Sequence, residues 1–138
     1  MNEERYAVDT SVAVPLLLRT HDAHDLVSKW AAGKTLYLSG HAAAETYSVL
    51  TRLPMGARAS ADDTVRAMDE SFPEVLSLPP EVASIAHRRL SSLGIVGGAT
   101  YDGLVALAAR EHDEVLATRD ARAKATYEKV GAKVVMLA

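Results

Sequence analysis

Four carboxylates in this chain sit where acids are costly, each interrupting or ending an apolar run. Asp9 follows Tyr6-Ala-Val8 and precedes Thr10-Ser11, and Asp120 follows Leu116-Ala-Thr-Arg119, so both end strand-like stretches. Glu45 in Ala42-Ala-Ala-Glu-Thr46 and Asp102 in Gly98-Ala-Thr-Tyr-Asp-Gly103 break helical runs that are otherwise apolar. A carboxylate in apolar surroundings is unfavourable unless something cationic meets it. Four converging on one spot would repel by about 4 kcal/mol per close pair at an effective dielectric near 20. A divalent cation is the simplest resolution. All-oxygen ligation suits Mg²⁺ or Mn²⁺ rather than zinc, and the chemistry it points to is metal-dependent hydrolysis.

Each acid also has a purely structural use. Asp9 and Asp120 could cap the helices that follow them, and Asp102 could complement a helix dipole. Glu45, read as lying well inside its helix, has no such role. Other polar residues carry less. His21 and His24 are one helical turn apart but lack a third ligand, so surface histidines are expected. His41, near the carboxyl end of the second strand, could touch substrate, the plainer reading being a helix-start histidine, and Trp30 reads as helix packing rather than a base-stacking platform. Gly97-Gly98 is not a phosphate loop, because no Lys-Ser/Thr follows. Leu50, Leu53, Pro54 and Met55 form an apolar helix end, with core packing the default and a partner groove the alternative.

The elements that must position these acids alternate along the whole chain. Strands are expected at 5–8, 35–38, 75–78, 115–118 and 133–137. Helices are expected at 11–18, with Pro15 making a late start or a bend, then at 21–32 capped by Thr20 and stopped by Gly33. Further helices run from Ser39 or Gly40 to about 53, from Ser60 to 70 with Asp63 in a capping box, and from Pro80 to just before Gly94. The last two cover 100–111 and 121–130. The strands are short continuous runs, as in parallel sheets covered by helices on both faces. Such sheets bind ligands beyond the carboxyl ends of their strands, where strand order reverses. If the first and fourth strands are neighbours there, Asp9 and Asp120 meet, and Asp102 and Glu45 can join them from nearby helix starts.

A length of 138 residues fits one domain, 1–138, and there are no cysteines for a disulfide or thiolate site. No run approaches the ~20 apolar residues that span a membrane. Met1-Asn-Glu-Glu-Arg5 lacks a secretory apolar region, so the expected compartment is the cytoplasm. The net charge of -3 argues against broad attraction to nucleic acid, although a bound cation reverses the sign of an acidic patch.

At Val8-Asp-Thr-Ser11, Glu45, Gly98-Ala-Thr-Tyr-Asp102 and Leu116-Ala-Thr-Arg-Asp120 the chain resembles the PIN-domain family, especially the VapC-type toxins of bacterial toxin–antitoxin pairs. The resemblance covers essentially the whole chain. It implies an α/β domain with a parallel sheet of about five strands in the order 3-2-1-4-5. It also implies a Mg²⁺- or Mn²⁺-dependent endoribonuclease acting on tRNA, rRNA or mRNA, usually a homodimer, and inhibited by a small cognate antitoxin. Carried over by position, Asp9, Glu45, Asp102 and Asp120 form the acidic quartet, with Asp9 and Asp102 foremost as direct ligands. Ser11 and Thr118 become accessory hydroxyls that hold water or orient a carboxylate. Arg119 and Arg122 are candidate phosphate contacts, the plainer use being solvated charge at a helix start. Some relatives carry a further acid just after Asp120; here Ala121 and Arg122 stand, which bears on a second metal ion.

The expected reaction is attack of metal-activated water on phosphorus, leaving a 5′-phosphate and a 3′-hydroxyl. The alternative is a non-catalytic RNA- or protein-binding module on the same fold. Phosphoaspartate proteins fit poorly: Leu76-Ser-Leu-Pro79 offers a receiver no acceptor, and Ser11 stands where a dehalogenase-like phosphatase needs its second acid.

Overall fold

The computed structural model describes residues 4–54, 56 and 58–138, so Met55 of the apolar helix end, and the first three residues of the N-terminal stretch, lie outside the described residues. Five strands, β1 (Glu4–Val8), β2 (Lys34–Ser39), β3 (Val75–Leu76), β4 (Leu116–Thr118) and β5 (Val134–Met136), form one sheet in the order β3-β2-β1-β4-β5. All four pairings are parallel. Val8 is in register with Leu38 on one side and Ala117 on the other, so strand order reverses between β1 and β4. Asp9 therefore emerges at the carboxyl edge directly beside Thr118.

Eight helices connect the strands among the described residues: α1 (Thr10–Leu17), α2 (His24–Ala31), α3 (Ala42–Thr51), α4 (Ala61–Ser71), α5 (Pro80–Ala83), α6 (Ala86–Ser92), α7 (Ala99–Glu111) and α8 (Ala121–Val130). α1 packs on α2, α3 and α4, and α7 packs on α6 and α8. Right-handed crossovers place these two groups on opposite faces. Val8, Val12, Val27, Leu38, Leu107 and Leu116 form the fully buried centre. α7 is buried along nearly its whole length from Gly103 to Ala109, as its apolar sequence demands. None of the helices in the described residues is long and apolar enough to cross a membrane.

Two glycines set how closely α7 approaches the site. Gly40 follows β2 with φ +53°, and a Cβ there would lie 3.0 Å from Ala108 Cβ. Gly103, next to Asp102, admits Leu90: a Cβ would meet its Cδ2 at 2.6 Å. Ser39 Oγ donates to Val105 O at 2.7 Å, tying the end of β2 to the same helix.

Several boundaries differ from those expected. α1 starts early, at Thr10, and carries Pro15 in its second turn rather than beginning late. α2 starts at His24, not His21, and its N-cap is Ala23 rather than Thr20, because His21 Nδ1 accepts from Ala23 N and holds a turn. α3 starts at Ala42, since Ser39 and Gly40 belong to the strand end and its turn. β3 stops at Leu76, ahead of Pro79-Pro80, which can donate no ladder hydrogen bonds. The expected single helix from Pro80 divides into α5 and α6 at Ser84-Ile85. The Ser60 cap is as expected, its Oγ accepting from Asp63 N at 3.1 Å.

Candidate active site

Asp9 is 4% exposed, and its carboxylate does not cap α1; its backbone oxygen accepts from Val12 and Ala13 instead. Three hydroxyls hold the side chain. Ser11 Oγ donates to Oδ1 at 2.6 Å, while Thr118 Oγ1 at 2.5 Å and Tyr127 OH at 2.8 Å donate to Oδ2. The hydroxyls are themselves fixed from behind. Arg119 N donates to Ser11 Oγ at 2.8 Å and Asp120 N to Thr118 Oγ1 at 3.0 Å. Each hydroxyl has one proton, and Asp9 takes both. The 3.2 Å separation between Ser11 and Thr118 oxygens is therefore packing rather than a further bond. Both residues thus orient a carboxylate.

Tyr127 is the residue that sequence reading missed. It lies on the buried face of α8 with Ala123 and Val130. Burial, then the neighbouring Asp9 charge and the hydrogen bond to it, push its phenol far above the usual range, so it stays a donor. The available signal was a tyrosine on an apolar helix face, which needs a polar partner when buried.

Asp120 keeps its capping role: Oδ1 accepts from Arg122 N at 3.0 Å and Ala123 N at 3.3 Å. Its Oδ2 has no protein donor among the described residues. Glu45 sits in the first turn of α3, not well inside the helix as expected, so it too can complement a helix dipole. Asp102 lies half-buried in the first turn of α7. Burial raises its carboxyl pKa above the ordinary value of 3.8, and the charges of Asp120, Glu45 and Asp9 raise it further. All four acids line one cleft of about 200 Å³, with Ser11 and Tyr127 in its wall. A second cleft of about 500 Å³ adjoins it, sharing Glu45 and Asp102 and continuing to His41, Ser48 and Tyr101.

Neither proposed phosphate contact lines the acidic cleft. Arg119 Nε donates to the carbonyl of Ala138 at 3.3 Å, and Arg122 is exposed at the start of α8. The two histidines of the loop and α2 are occupied structurally rather than simply exposed: His24 Nδ1 donates to Pro15 O at 2.8 Å, and His21 accepts from Ala23. Trp30 packs edge-on against Tyr6 at 5.1 Å. Leu50 is core, Leu53 half-buried and Pro54 exposed.

Among the described residues no three His, Cys, Asp or Glu side chains are already grouped as a metal site. The donor set nevertheless suits a hard cation. Oxygen is the only ligand type in the cleft, Asp9 Oδ1 keeps a lone pair beyond its bond to Ser11, and Asp120 keeps Oδ2. A volume near 200 Å³ accommodates an ion with several waters at roughly 30 Å³ each.

The PIN-domain profile matches residues 6–129. The chain belongs to the PIN-domain family. It is 55% identical over 132 residues to Ribonuclease VapC27 of Mycobacterium tuberculosis, covering 96% of each protein. Ribonuclease VapC40 of the same species is 38% identical over 133 residues, covering 95% of this chain and 98% of that protein. Among solved structures, VapBC2 of Rickettsia felis bound to promoter DNA superposes with TM-score 0.67 at 13% identity, over 96% of this chain and 98% of that one. VapC20 of M. tuberculosis, a sarcin-ricin loop cleaving toxin, gives 0.65 at 17% identity over 87% and 93%. At those identities the superpositions speak to the PIN fold alone.

Proposed function

We propose that this PIN-domain protein is an endoribonuclease that works with Mg²⁺ or Mn²⁺, and the toxin of a toxin–antitoxin pair. The observation that carries the reading is Asp9: a buried carboxylate, fixed by three hydroxyls and free of capping duty, in a cleft with three other acids. Extensive identity to two proteins named as ribonucleases supports the same reaction. Asp9, through Oδ1, Asp102 and Asp120, through Oδ2, would hold the cation, with Glu45 at the cleft wall. When bound, the cation would make water nucleophilic at neutral pH and offset charge on the phosphate.

The chain's own groups do the rest. Ser11, Thr118 and Tyr127 hold the Asp9 carboxylate in one orientation. Glu45, which lines both clefts, would take the proton of the attacking water. Water would add to phosphorus as the bond to the 3′-oxygen breaks, and the departing oxygen would take a proton from solvent, giving 5′-phosphate and 3′-hydroxyl ends. The substrate would be tRNA, rRNA or mRNA in the cytoplasm, with Arg119 and Arg122 meeting backbone phosphates outside the cleft. A structural neighbour crystallised as VapBC2 supports a small antitoxin partner, and a homodimer is the state the family resemblance implies.

The test is incubation of cellular RNA with protein in Mg²⁺, Mn²⁺ or chelator, followed by end-group analysis. Cleavage only with metal, leaving 5′-phosphates, is expected. Cleavage in chelator, or 2′,3′-cyclic phosphate ends, would refute the mechanism.

A further inference from the structure

Beside the acidic cleft, the 500 Å³ cleft has a size typical of small-ligand sites, ~300–1,000 Å³. Its aromatic wall is a stacked pair, His41 and Tyr101, with ring centroids 4.9 Å apart and planes 26° from parallel. One face of Tyr101 is covered by His41, yet the residue remains 54% exposed. An exposed ring held flat against a neighbour is a platform. Ser48 lines the same cleft, and its Oγ accepts from Arg52 Nη1 at 2.8 Å, which leaves its own proton for an incoming acceptor. The cleft thus combines a π-face with a donor, and Glu45 and Asp102 make it continuous with the acidic site.

The geometry points to a nucleobase subsite: Tyr101, backed by His41, stacks the unpaired base next to the phosphate cut in the acidic cleft, and Ser48 donates to that base's edge. The inference rests on the nuclease reading and adds to it where the substrate's base lies. Sequence-specific RNA recognition favours unstacked bases laid on aromatic rings, and a stacking platform accepts any base while contributing to affinity at one defined position. A plainer role for the pair is to pin the start of α7 to the β2–α3 turn, and the two roles separate experimentally.

The experiment is steady-state cleavage of a single-stranded RNA oligomer, and of copies made abasic at each position around the cut, by wild type, Tyr101→Phe, Tyr101→Ala and His41→Ala. Loss of one base stack corresponds to roughly a 5- to 150-fold rise in KM. Tyr101→Ala should show a rise in that range with kcat within about twofold, and Tyr101→Phe should match wild type. At one abasic position wild type and Tyr101→Ala should become equal, because the base that Tyr101 holds is gone. His41→Ala should give a smaller KM rise at the same position. A fall in kcat without a KM change, or the same wild-type-to-variant ratio on every abasic substrate, would overturn the subsite and leave a helix-positioning role. Unchanged RNA kinetics with weakened antitoxin inhibition would overturn it in favour of a protein segment in the cleft. Failure of wild type to cut any RNA with either metal would refute the nuclease reading and this subsite together.

Discussion

Asp9 and Asp120 occupy equivalent places, each an acid at the end of a parallel strand and at the N-cap of the next helix, yet they are held in opposite ways. Asp120 is exposed and spends Oδ1 on two backbone N–H groups of α8. Asp9 is buried and makes no side-chain cap. The difference lies in what stands nearby. Ser11, Thr118 and Tyr127 supply three hydroxyl donors that outcompete the first turn of α1 for the Asp9 carboxylate. Strand-end position alone does not tell a capping acid from a site acid; the neighbouring donors do.

The largest effect expected from this contrast is on turnover. Asp9→Asn retains the shape of the side chain but removes its charge, and cleavage should fall by roughly 10²–10³-fold, the scale of losing one preorganised electrostatic contact. Near-normal activity would make Asp9 a structural acid. Next in size is Tyr127→Phe, which removes one of the donors to Asp9 Oδ2 while Thr118 retains the other. Metal affinity or activity should drop about 10- to 100-fold, as for other groups that orient a ligand. An unaltered metal titration would reduce Tyr127 to a core residue.

Asp120 should divide its two roles cleanly. Asp120→Ala loses the α8 cap and about 0.5–2 kcal/mol of stability, whereas Asp120→Asn retains most of that cap. Both should lose activity, because both remove the charge beside Asp102. Denaturant midpoints and cleavage rates measured on the pair check this, and full activity in Asp120→Asn would confine the residue to capping.

The smallest effect concerns Asp102 and pH. Its folded carboxyl pKa lies above 3.8, so the fold favours the protonated form. That favourable contribution is complete below 3.8 and is lost as pH rises through the raised value. In chelator at neutral pH, Asp102→Asn should therefore be more stable than wild type, and the advantage should shrink as pH falls toward 3.8. Urea midpoints across that range give the sign directly, and an advantage that grows toward low pH would contradict it.

Much of this arrangement was legible in the chain. Short continuous strands alternating with helices fix an α/β parallel sheet, and the acid-bearing segments place their residues at its carboxyl edge. The strand order came from family resemblance, because periodicity does not encode which strands pair. Local signals failed where long-range contacts decide. Nothing between Pro80 and Gly94 marks the break at Ser84-Ile85, and the turn held by His21 outweighs Thr20 as a helix start. Tyr127 is 118 residues from Asp9, so no spacing argument could join them. The His41–Tyr101 stack likewise appears only once α3 and α7 are brought together by the close approach at Gly40.

The most direct measurement of the central claim is denaturant unfolding of wild type and Asp9→Asn in chelator and in millimolar Mg²⁺. A cation held by Asp9, Asp102 and Asp120 would stabilise the folded protein by RT ln(1 + [L]/Kd), about 2.7 kcal/mol at a hundredfold excess over Kd. Wild type should gain stability in Mg²⁺, and Asp9→Asn should gain little or none. Equal midpoints for wild type in the two buffers, or an equal gain in both proteins, would contradict a cation site built on Asp9.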